Sequence, residues 1–186
     1  MSNSTNGYKN LLVYRSATTI YDGTLLFCQK FLSAPYHRRL VEQMIHAARS
    51  GKQNIVEGSL EKSVESNIKL TGVARASFGE LLEDYADFLR QRNLQIWKKE
   101  DMRVLKIRSF RENIINETNF SNLADWSNLS LQNAEHFANL MICLIYKECF
   151  LLDRLLSAQE KSFIEKGGFR ENLFKKRRLH LTNKIH

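Results

Sequence analysis

Residues 44–58 read MIHAARSGKQNIVEG, and this stretch decides the predicted fold. Its apolar and small residues recur at alternating intervals of four and three: Met44, Ala48, Gly51, Ile55 and Gly58. That spacing is typical of a seam between packed helices. Glycine in such a seam lets a neighbouring backbone come close, because it has no Cβ. The stretch therefore predicts a helix over about residues 37–61 that packs tightly against a partner helix.

Helical spacing extends on both sides of this stretch. It predicts a first helix over residues 11–33, which Pro35 ends, and a third helix over residues 65–92. The third helix carries two apolar stripes, one of Leu70, Ala74, Ser77, Leu81 and Phe88 and the other of Phe78, Leu82, Tyr85 and Leu89. A face this wide indicates that the helix is central or also faces another subunit.

The second half of the chain predicts one more long helix. A short helix over residues 99–115 and a connecting loop over 116–130 come first. The long helix then runs from Ser130, a favourable N-cap, to the stop signal Gly167-Gly168. At 1.5 Å per residue it would be about 50 Å long, so we expect its end to project or to pack outside the bundle.

These elements predict an all-α fold, an antiparallel up-down-up-down four-helix bundle with an extra short helix before the last long helix. The polar start, residues 1–10, is interpreted as a disordered lead-in. Residues 11–166 form the predicted bundle, and residues 167–186 a basic suffix tail.

Charge is the strongest functional signal in the composition. The chain has 28 Lys and Arg against 20 Asp and Glu, a net charge of +8. Residues 169–186 hold six of these cations and one acid, so five of the eight net charges lie at this end. A surface of this kind attracts polyanions. Three cysteines form no disulfide framework and favour a cytoplasmic location, and the longest apolar run, at seven residues, is too short to span a membrane.

A search for catalytic chemistry finds little. Phosphate-loop, dinucleotide, nucleophile-elbow and zinc-protease motifs are absent, and so are paired Glu-x-x-His ligands. Glu42 and His46 could share a metal but favour a solvated pair. The carboxylates Glu80, Glu83, Asp84 and Asp87 could form a metal site, although a solvated or subunit-facing stripe is the favoured interpretation. We therefore expect no catalytic residue, metal or cofactor, and we interpret Cys28, Cys143 and Cys149 as buried apolar residues.

The candidate nucleic-acid contacts are cations on the predicted helices and in the tail. They are Arg38, Arg39, Arg49, Lys52, Lys69, Arg75, Lys175, Lys176, Arg177 and Arg178. Lys and Arg neutralise phosphates and release counterions, which gives salt-sensitive affinity without sequence preference. Ordinary solubilising charge is the alternative interpretation, and it applies least to the run KKRR at 175–178.

Two segments resemble a known family. Residues 48–58, ARSGKQNIVEG, resemble the signature of the four-helix bundle proteins encoded within intervening sequences of bacterial 23S ribosomal RNA genes. The usual form ends in Asn-Ile-Ala-Glu-Gly, so Val56 replaces a small residue. Residues 73–81, VARASFGEL, resemble the family's Ala-rich stretch. Residues 140–170 look like the extension called a four helix bundle suffix, and the resemblance covers about residues 12–178.

The resemblance implies a fold, an assembly and a class of partner. Members are antiparallel bundles that assemble as five-fold rings, with no catalytic activity attached to the family. Related accessory variability proteins of diversity-generating retroelements are basic pentamers that bind RNA or DNA and a reverse transcriptase. Those relatives are typically shorter and lack the suffix.

The family signature also has a physical interpretation. Arg49, Gln53 and Glu57 recur every four residues and share a helix face. With Asn54, which can hydrogen-bond to a neighbouring helix, and Gly58, they predict a polar network that holds the second helix to a partner. Direct contact with nucleic acid is the alternative role.

The leading function hypothesis is a non-enzymatic, homo-oligomeric scaffold that binds nucleic acid, RNA rather than DNA. The alternative is a protein-interaction adaptor that docks a partner enzyme, such as a reverse transcriptase of a mobile element. Under both hypotheses the expected partners are other copies of the chain together with a nucleic acid or a partner protein. Neither hypothesis involves a membrane.

Overall fold

The computed structural model describes residues 7–109 and 130–182. These residues form helices, turns and connections, with no strand among them, which confirms the all-α prediction. Short 3-10 turns lie at Gly7–Asn10 and Pro35–His37. The α-helices are α1 (Leu12–Phe31), α2 (Arg38–Leu60), α3 (Val64–Gln91), α4 (Met102–Ser109), α5 (Ala134–Lys166) and α6 (Phe169–Thr182).

Several boundaries differ from the sequence predictions. Residues 7–10 form a turn where a disordered lead-in was expected, while residues 1–6 lie outside the described residues. The predicted N-cap Ser130 is wrong, because the side chain of Asn133 accepts the backbone N–H of His136 and caps α5. The predicted basic suffix tail, residues 167–186, is helical over residues 169–182, where it forms α6.

The connection between α4 and α5 is only partly described. The predicted short helix is confirmed over Met102–Ser109, inside the expected range 99–115. Residues 110–115 of that helix, and residues 116–129 of the predicted loop, lie outside the described residues.

The seam found in the sequence joins α2 to α3. Gln43 donates to Asp84 at 2.8 Å, and the hydroxyls of Ser50 and Ser77 are 3.0 Å apart. Positions along α2 therefore meet positions in reverse order along α3, so the two helices run in opposite directions. A Cβ on Gly51 would lie 2.6 Å from the ring of Phe78, which confirms that this glycine permits close approach.

The other long helices complete the packing. Arg75 on α3 forms an ion pair with Asp153 on α5 at 2.9 Å. Gln159, farther along α5, donates to Asn67 at 2.9 Å, so α3 and α5 also run in opposite directions. Helix α1 packs against both α2 and α5, and α4 packs against α5.

Aromatic side chains fill the core where α1, α3 and α5 meet. The ring of Phe27 lies with its centroid 4.9 Å from Tyr85, 4.8 Å from Phe88 and 5.4 Å from Phe137 in edge-on contacts. The buried Tyr85 hydroxyl donates to Thr24 at 3.2 Å, so its polar end is satisfied.

The wide apolar face of α3 is buried within one chain. The first stripe contributes Ala74 and Leu81 to the core, and the second contributes Phe78 and Tyr85. Because α3 packs against α2 and α5 together, its width follows from a central position. This face therefore supplies no argument for a second subunit.

The end of α5 stays beside the start of α3. The carboxylate of Glu65 occupies the space where a Cβ of Gly168 would lie, so the end of α5 lies against the bundle, whereas it was expected to project or to pack outside the bundle. The α6 helix continues from this point. None of the helices in the described ranges is long and apolar enough to cross a membrane.

Candidate nucleic-acid interface

The junction between α5 and α6 sets the position of the basic end. Gly167 ends α5 with φ of 72°, a left-handed conformation that favours glycine. The side chain of Glu171 accepts the backbone N–H of Gly168 at 3.1 Å, and Asn172 donates to the carbonyl of Lys166 at 3.1 Å. These contacts satisfy backbone groups at both helix ends.

Glu65 connects this junction to α3. Hydrogen bonds hold the pKa of this exposed carboxyl below its usual range, first from the Ser63 hydroxyl and also from backbone N–H groups, including that of Phe169. The Arg170 guanidinium acts in the same direction. An anion at the start of α6 also suits the positive end of a helix dipole. The first turn of α6 is thus anchored to the start of α3.

Beyond its first turn, α6 is exposed. None of its residues is buried, and the four cations Lys175–Arg178 all face solvent. No ion pair within the described ranges involves them. Large apolar side chains lie on both sides of this run of cations: Phe169, Leu173, Phe174, Leu179 and Leu181. The helix presents a concentrated positive charge with few competing acids.

The predicted cations of α2 are mostly turned outward. Arg38 is exposed and paired with Glu42 at 2.9 Å, one turn along the same helix. Arg39 and Arg49 are exposed. Lys52 is half-buried, with its Nζ 4.3 Å from the ring centroid of Tyr21 on α1. A cation held over an aromatic face is stabilised there, so Lys52 has a packing role besides any ligand contact.

The predicted cations of α3 have different surroundings. Lys69 is exposed, whereas Arg75 is half-buried and engaged by Asp153. Arg75 therefore faces α5, while Lys52 of α2 faces α1.

The structure does not bring all ten predicted cations together in one chain. Arg38 and Arg39 open α2, whereas α6 starts beside Glu65, at the opposite end of the α2–α3 pair. The 23 residues of α2 separate the two ends by about 35 Å. Residues 175–178 form the compact cluster, and the others are dispersed.

The polar network predicted from the family signature is arranged differently. Asn54 donates to the carbonyl and hydroxyl of Ser50 on its own helix, so the predicted direct contact with a neighbouring helix is wrong. Since the Ser77 hydroxyl donates to the carbonyl of Val73, Ser50 is the donor in the bond that crosses to α3. Ser50 thus carries the interhelical hydrogen bond.

The regular polar face of α2 points away from its partners. Arg49, Gln53 and Glu57 are exposed. Within residues 7–109 and 130–182, no hydrogen bond or ion pair joins them to another helix, so they do not hold α2 in place. Gly58 does contribute, because a Cβ there would lie 3.0 Å from Asn67 and 3.3 Å from Leu70.

The acidic set on α3 divides into exposed and buried members. Glu80, Glu83 and Asp87 are exposed, and Asp87 pairs with Arg90 at 2.8 Å. Asp84 is buried against α2, so the predicted solvated stripe is wrong at this position. Its Oδ2 has no hydrogen-bond partner among the described residues. Burial, followed by the charges of Asp87 and Glu80, raises the pKa of Asp84 to about 6.

No metal chemistry emerges from the described residues. They contain no group of three or more His, Cys, Asp or Glu side chains that could hold a metal ion. Glu42, considered with His46, is instead paired with Arg38.

The three cysteines are free and buried, as expected. Burial raises the pKa of Cys28 and of Cys143 to about 12 and that of Cys149 to about 11. A thiol that stays protonated is a poor nucleophile.

Sequence reasoning missed an exposed surface on α5 and its supporting contacts. Tyr146 and Phe150, one turn apart, face solvent, and the Arg154 guanidinium carbon lies 5.8 Å from the Phe150 ring centroid. Nearby, the Trp97 backbone N–H donates to Asn139 at 2.8 Å and fixes the chain before α4 against α5. The four-residue spacing of Tyr146 and Phe150 could have indicated a shared exposed face. The sequence around them is apolar on nearly all sides of the helix, so that face did not stand out.

Comparison with known proteins adds no assignment. No family model, curated protein or solved structure matches the chain. The resemblance to the intervening-sequence proteins therefore stays a prediction.

Proposed function

We propose that the protein is a non-enzymatic, homo-oligomeric scaffold that binds nucleic acid, RNA rather than DNA, through α6. The observation that carries this proposal is the run of four exposed cations at residues 175–178, on a helix that buries none of its own residues. The proposed framework is an antiparallel up-down-up-down bundle of α1, α2, α3 and α5, as in the family that the sequence resembles, with α4 as an extra short helix.

The physical basis is electrostatic. Each Lys or Arg that contacts a phosphate releases counterions, so affinity falls steeply as salt rises. Several copies of α6 in one oligomer would act on the same strand, and the high effective concentration of the later contacts would multiply weak individual affinities. Arg39, Arg49 and Lys69, exposed elsewhere on the chain, would extend the positive surface between copies.

The test is a salt titration of binding to a fluorescent single-stranded RNA, followed by anisotropy. Replacement of Lys175, Lys176, Arg177 and Arg178 by Gln should weaken binding to unrelated sequences alike. It should also reduce the slope of log affinity against log salt by about 3, at roughly 0.7 for each lost phosphate contact.

A matched control variant has the same total charge as the variant altered at residues 175–178. Gln at Lys62, Lys98, Arg154 and Lys161, all exposed and outside the proposed site, removes four cations elsewhere. Equal losses in both variants would show that only net charge matters, and undiminished binding in the first variant would remove α6 from the mechanism.

The adaptor function has one observation in its favour. The exposed Leu173, Phe174, Leu179 and Leu181 give α6 more apolar surface than phosphate binding requires. A complex with a partner enzyme that survives nuclease and high salt, and that is lost on replacing Leu173 and Leu179 by Gln, would favour the adaptor over the RNA scaffold.

A further inference from the structure

A cavity of about 630 Å³ lies between α4 and α5, away from α6. Its walls are mainly aliphatic and aromatic: Val104 and Ile107 from α4, Ile142 and Leu151 from α5, and Ile96 and Trp97 from the segment before α4. This volume and an apolar lining are typical of pockets for small ligands. The cavity is large enough to accept a hydrocarbon chain.

The cavity walls are held in place by contacts of their own. The Asn139 side chain accepts the Trp97 backbone N–H at 2.8 Å and donates to the carbonyl of Gln95 at 2.8 Å. The Trp97 indole N–H donates to Glu135 at 3.0 Å, and Arg103 stacks 3.8 Å above its ring. A wall fixed in this way need not be ordered again when a ligand binds.

The charged side chains among the described lining residues of the cavity are all cations. Lys99, Arg108 and Lys147 line it, and no Asp or Glu is among the described lining residues. On the cavity wall, the charge of Arg108 opposes the rise in the pKa of the Cys143 thiol that burial causes, while the charge of Asp101 adds to that rise.

The acids that the described contacts place beside this rim each have a partner, and Glu135 accepts the Trp97 indole N–H at 3.0 Å. Asp101 is held by two contacts from Arg103, at 3.0 and 2.7 Å, and Glu100 lies 3.9 Å from Lys99. An anionic group at the mouth of the cavity would therefore meet a positive surface.

We propose that this cavity binds a single-chain anionic amphiphile, specifically a long-chain carboxylate, with its hydrocarbon chain between α4 and α5 and its carboxylate at Arg108 and Lys99. The apolar walls favour burial of the ligand's hydrocarbon chain, and the cationic rim favours its anionic headgroup. The exposed rings of Tyr146 and Phe150, which also line the cavity, would cover the chain where the cavity opens to solvent. The site is independent of α6 and of RNA binding.

The experiment compares two ligands with the same tail. Dodecanoate and dodecyltrimethylammonium are titrated into the full-length protein by calorimetry, both below their critical micelle concentrations. Dodecanoate should bind at one site per chain, and the cationic ligand at least about tenfold more weakly. Equal affinities, or no dodecanoate binding, would overturn the proposal.

Variants test the headgroup contacts. Arg108→Gln with Lys99→Gln should lower dodecanoate affinity at least about tenfold. The control Arg39→Gln with Lys62→Gln removes two exposed cations outside the cavity and should leave the affinity within about twofold. Equal affinity losses in both variants would mean that net charge alone attracts the ligand, and this too would overturn the proposal.

Tryptophan fluorescence locates the hydrocarbon chain of the ligand without a change to the cationic residues at the rim of the cavity. The protein has two tryptophans, and Trp126→Phe leaves Trp97, which lines the cavity, as the sole fluorophore. A dodecanoate brominated near the end of its chain should quench Trp97 in parallel with the calorimetric saturation. Saturation without quenching would place the ligand elsewhere and contradict the assignment.

Discussion

Gly51 is the residue on which the close contact of α2 and α3 depends most directly. A Cβ at this position would lie 2.6 Å from the ring of Phe78, and that ring is completely buried. The ring cannot move aside into solvent, so the two helices would have to separate. Gly72 on α3 has open space around it and offers a matched comparison.

We predict that Gly51→Ala lowers the free energy of unfolding by about 1–2 kcal/mol, because overpacking outweighs the helix propensity that Ala adds. Gly72→Ala should raise it by about 0.5–1 kcal/mol, since only the propensity changes there. Urea denaturation measures both. A stabilised Gly51→Ala variant would show that the packing at this seam is looser than the geometry indicates.

Asp84 makes stability depend on pH. Its pKa of about 6 in the folded protein lies above its ordinary 3.8, so the folded state binds the proton more tightly than the unfolded chain. The stabilisation from the protonated group is complete below about pH 4 and is lost as pH rises through about 6. At neutral pH the buried Asp84 carboxylate is ionised, and this lowers the free energy of unfolding.

We predict that Asp84→Asn increases the free energy of unfolding by about 1–3 kcal/mol at pH 7–8 and by little at pH 4. The Asn oxygen can still accept from Gln43, so the interhelical hydrogen bond is kept. Denaturant titrations at pH 4 to 8 give the profile. Glu83→Gln, an exposed carboxylate on the same helix, should show no such trend, and a flat difference for Asp84→Asn would refute the buried-charge explanation.

At the scale of secondary structure, α6 differs from the other long helices because packing against the bundle does not explain why it forms. Its 14 residues are exposed or half-buried, and its anchor is the turn at Gly167 together with Glu65 and Glu171. Isolated helices of this length are marginal in water. The formation of this helix therefore depends on its cap.

Deletion of residues 169–186 should leave the free energy of unfolding within about 0.5 kcal/mol of the full chain, because none of the described residues 169–182 is buried. The same deletion should abolish most of the salt-dependent RNA binding. Thermal melts and anisotropy measure the two effects. A large loss of stability would mean that α6 packs against the bundle of the same or another copy.

At the scale of the whole molecule, an oligomer must use surfaces other than the core face of α3. On α4, Met102 and Leu105 are exposed apolar residues that do not line the cavity.

We predict that light scattering after size exclusion gives a particle near five times 21.7 kDa that carries nucleic acid, seen as raised absorbance at 260 nm. High salt should strip the nucleic acid without dissociating the particle, since screening weakens phosphate contacts more than apolar burial. A monomer free of nucleic acid would contradict the ring and place the adaptor function first.

Some features followed from the sequence alone. The helical periods, the seam through Gly51 and Gly58, the Gly167 stop, the burial of the cysteines and the basic end could all be predicted. Each depends on local spacing and on residue type, which act over a few turns of one helix. The cluster at residues 175–178 in the candidate site was predicted for the same reason.

Only the tertiary structure decided the rest. Asp84 is buried where Gln43 of α2 lies opposite it. The two residues are 41 positions apart in the sequence, so the spacing of residues within one helix could not predict this contact. The direction of α6 depends on the contact of Glu65 with Gly168, and the cavity between α4 and α5 exists only where three segments meet. A residue's neighbours across the fold set its burial and charge environment, whereas sequence spacing sets only the face of the helix on which it lies.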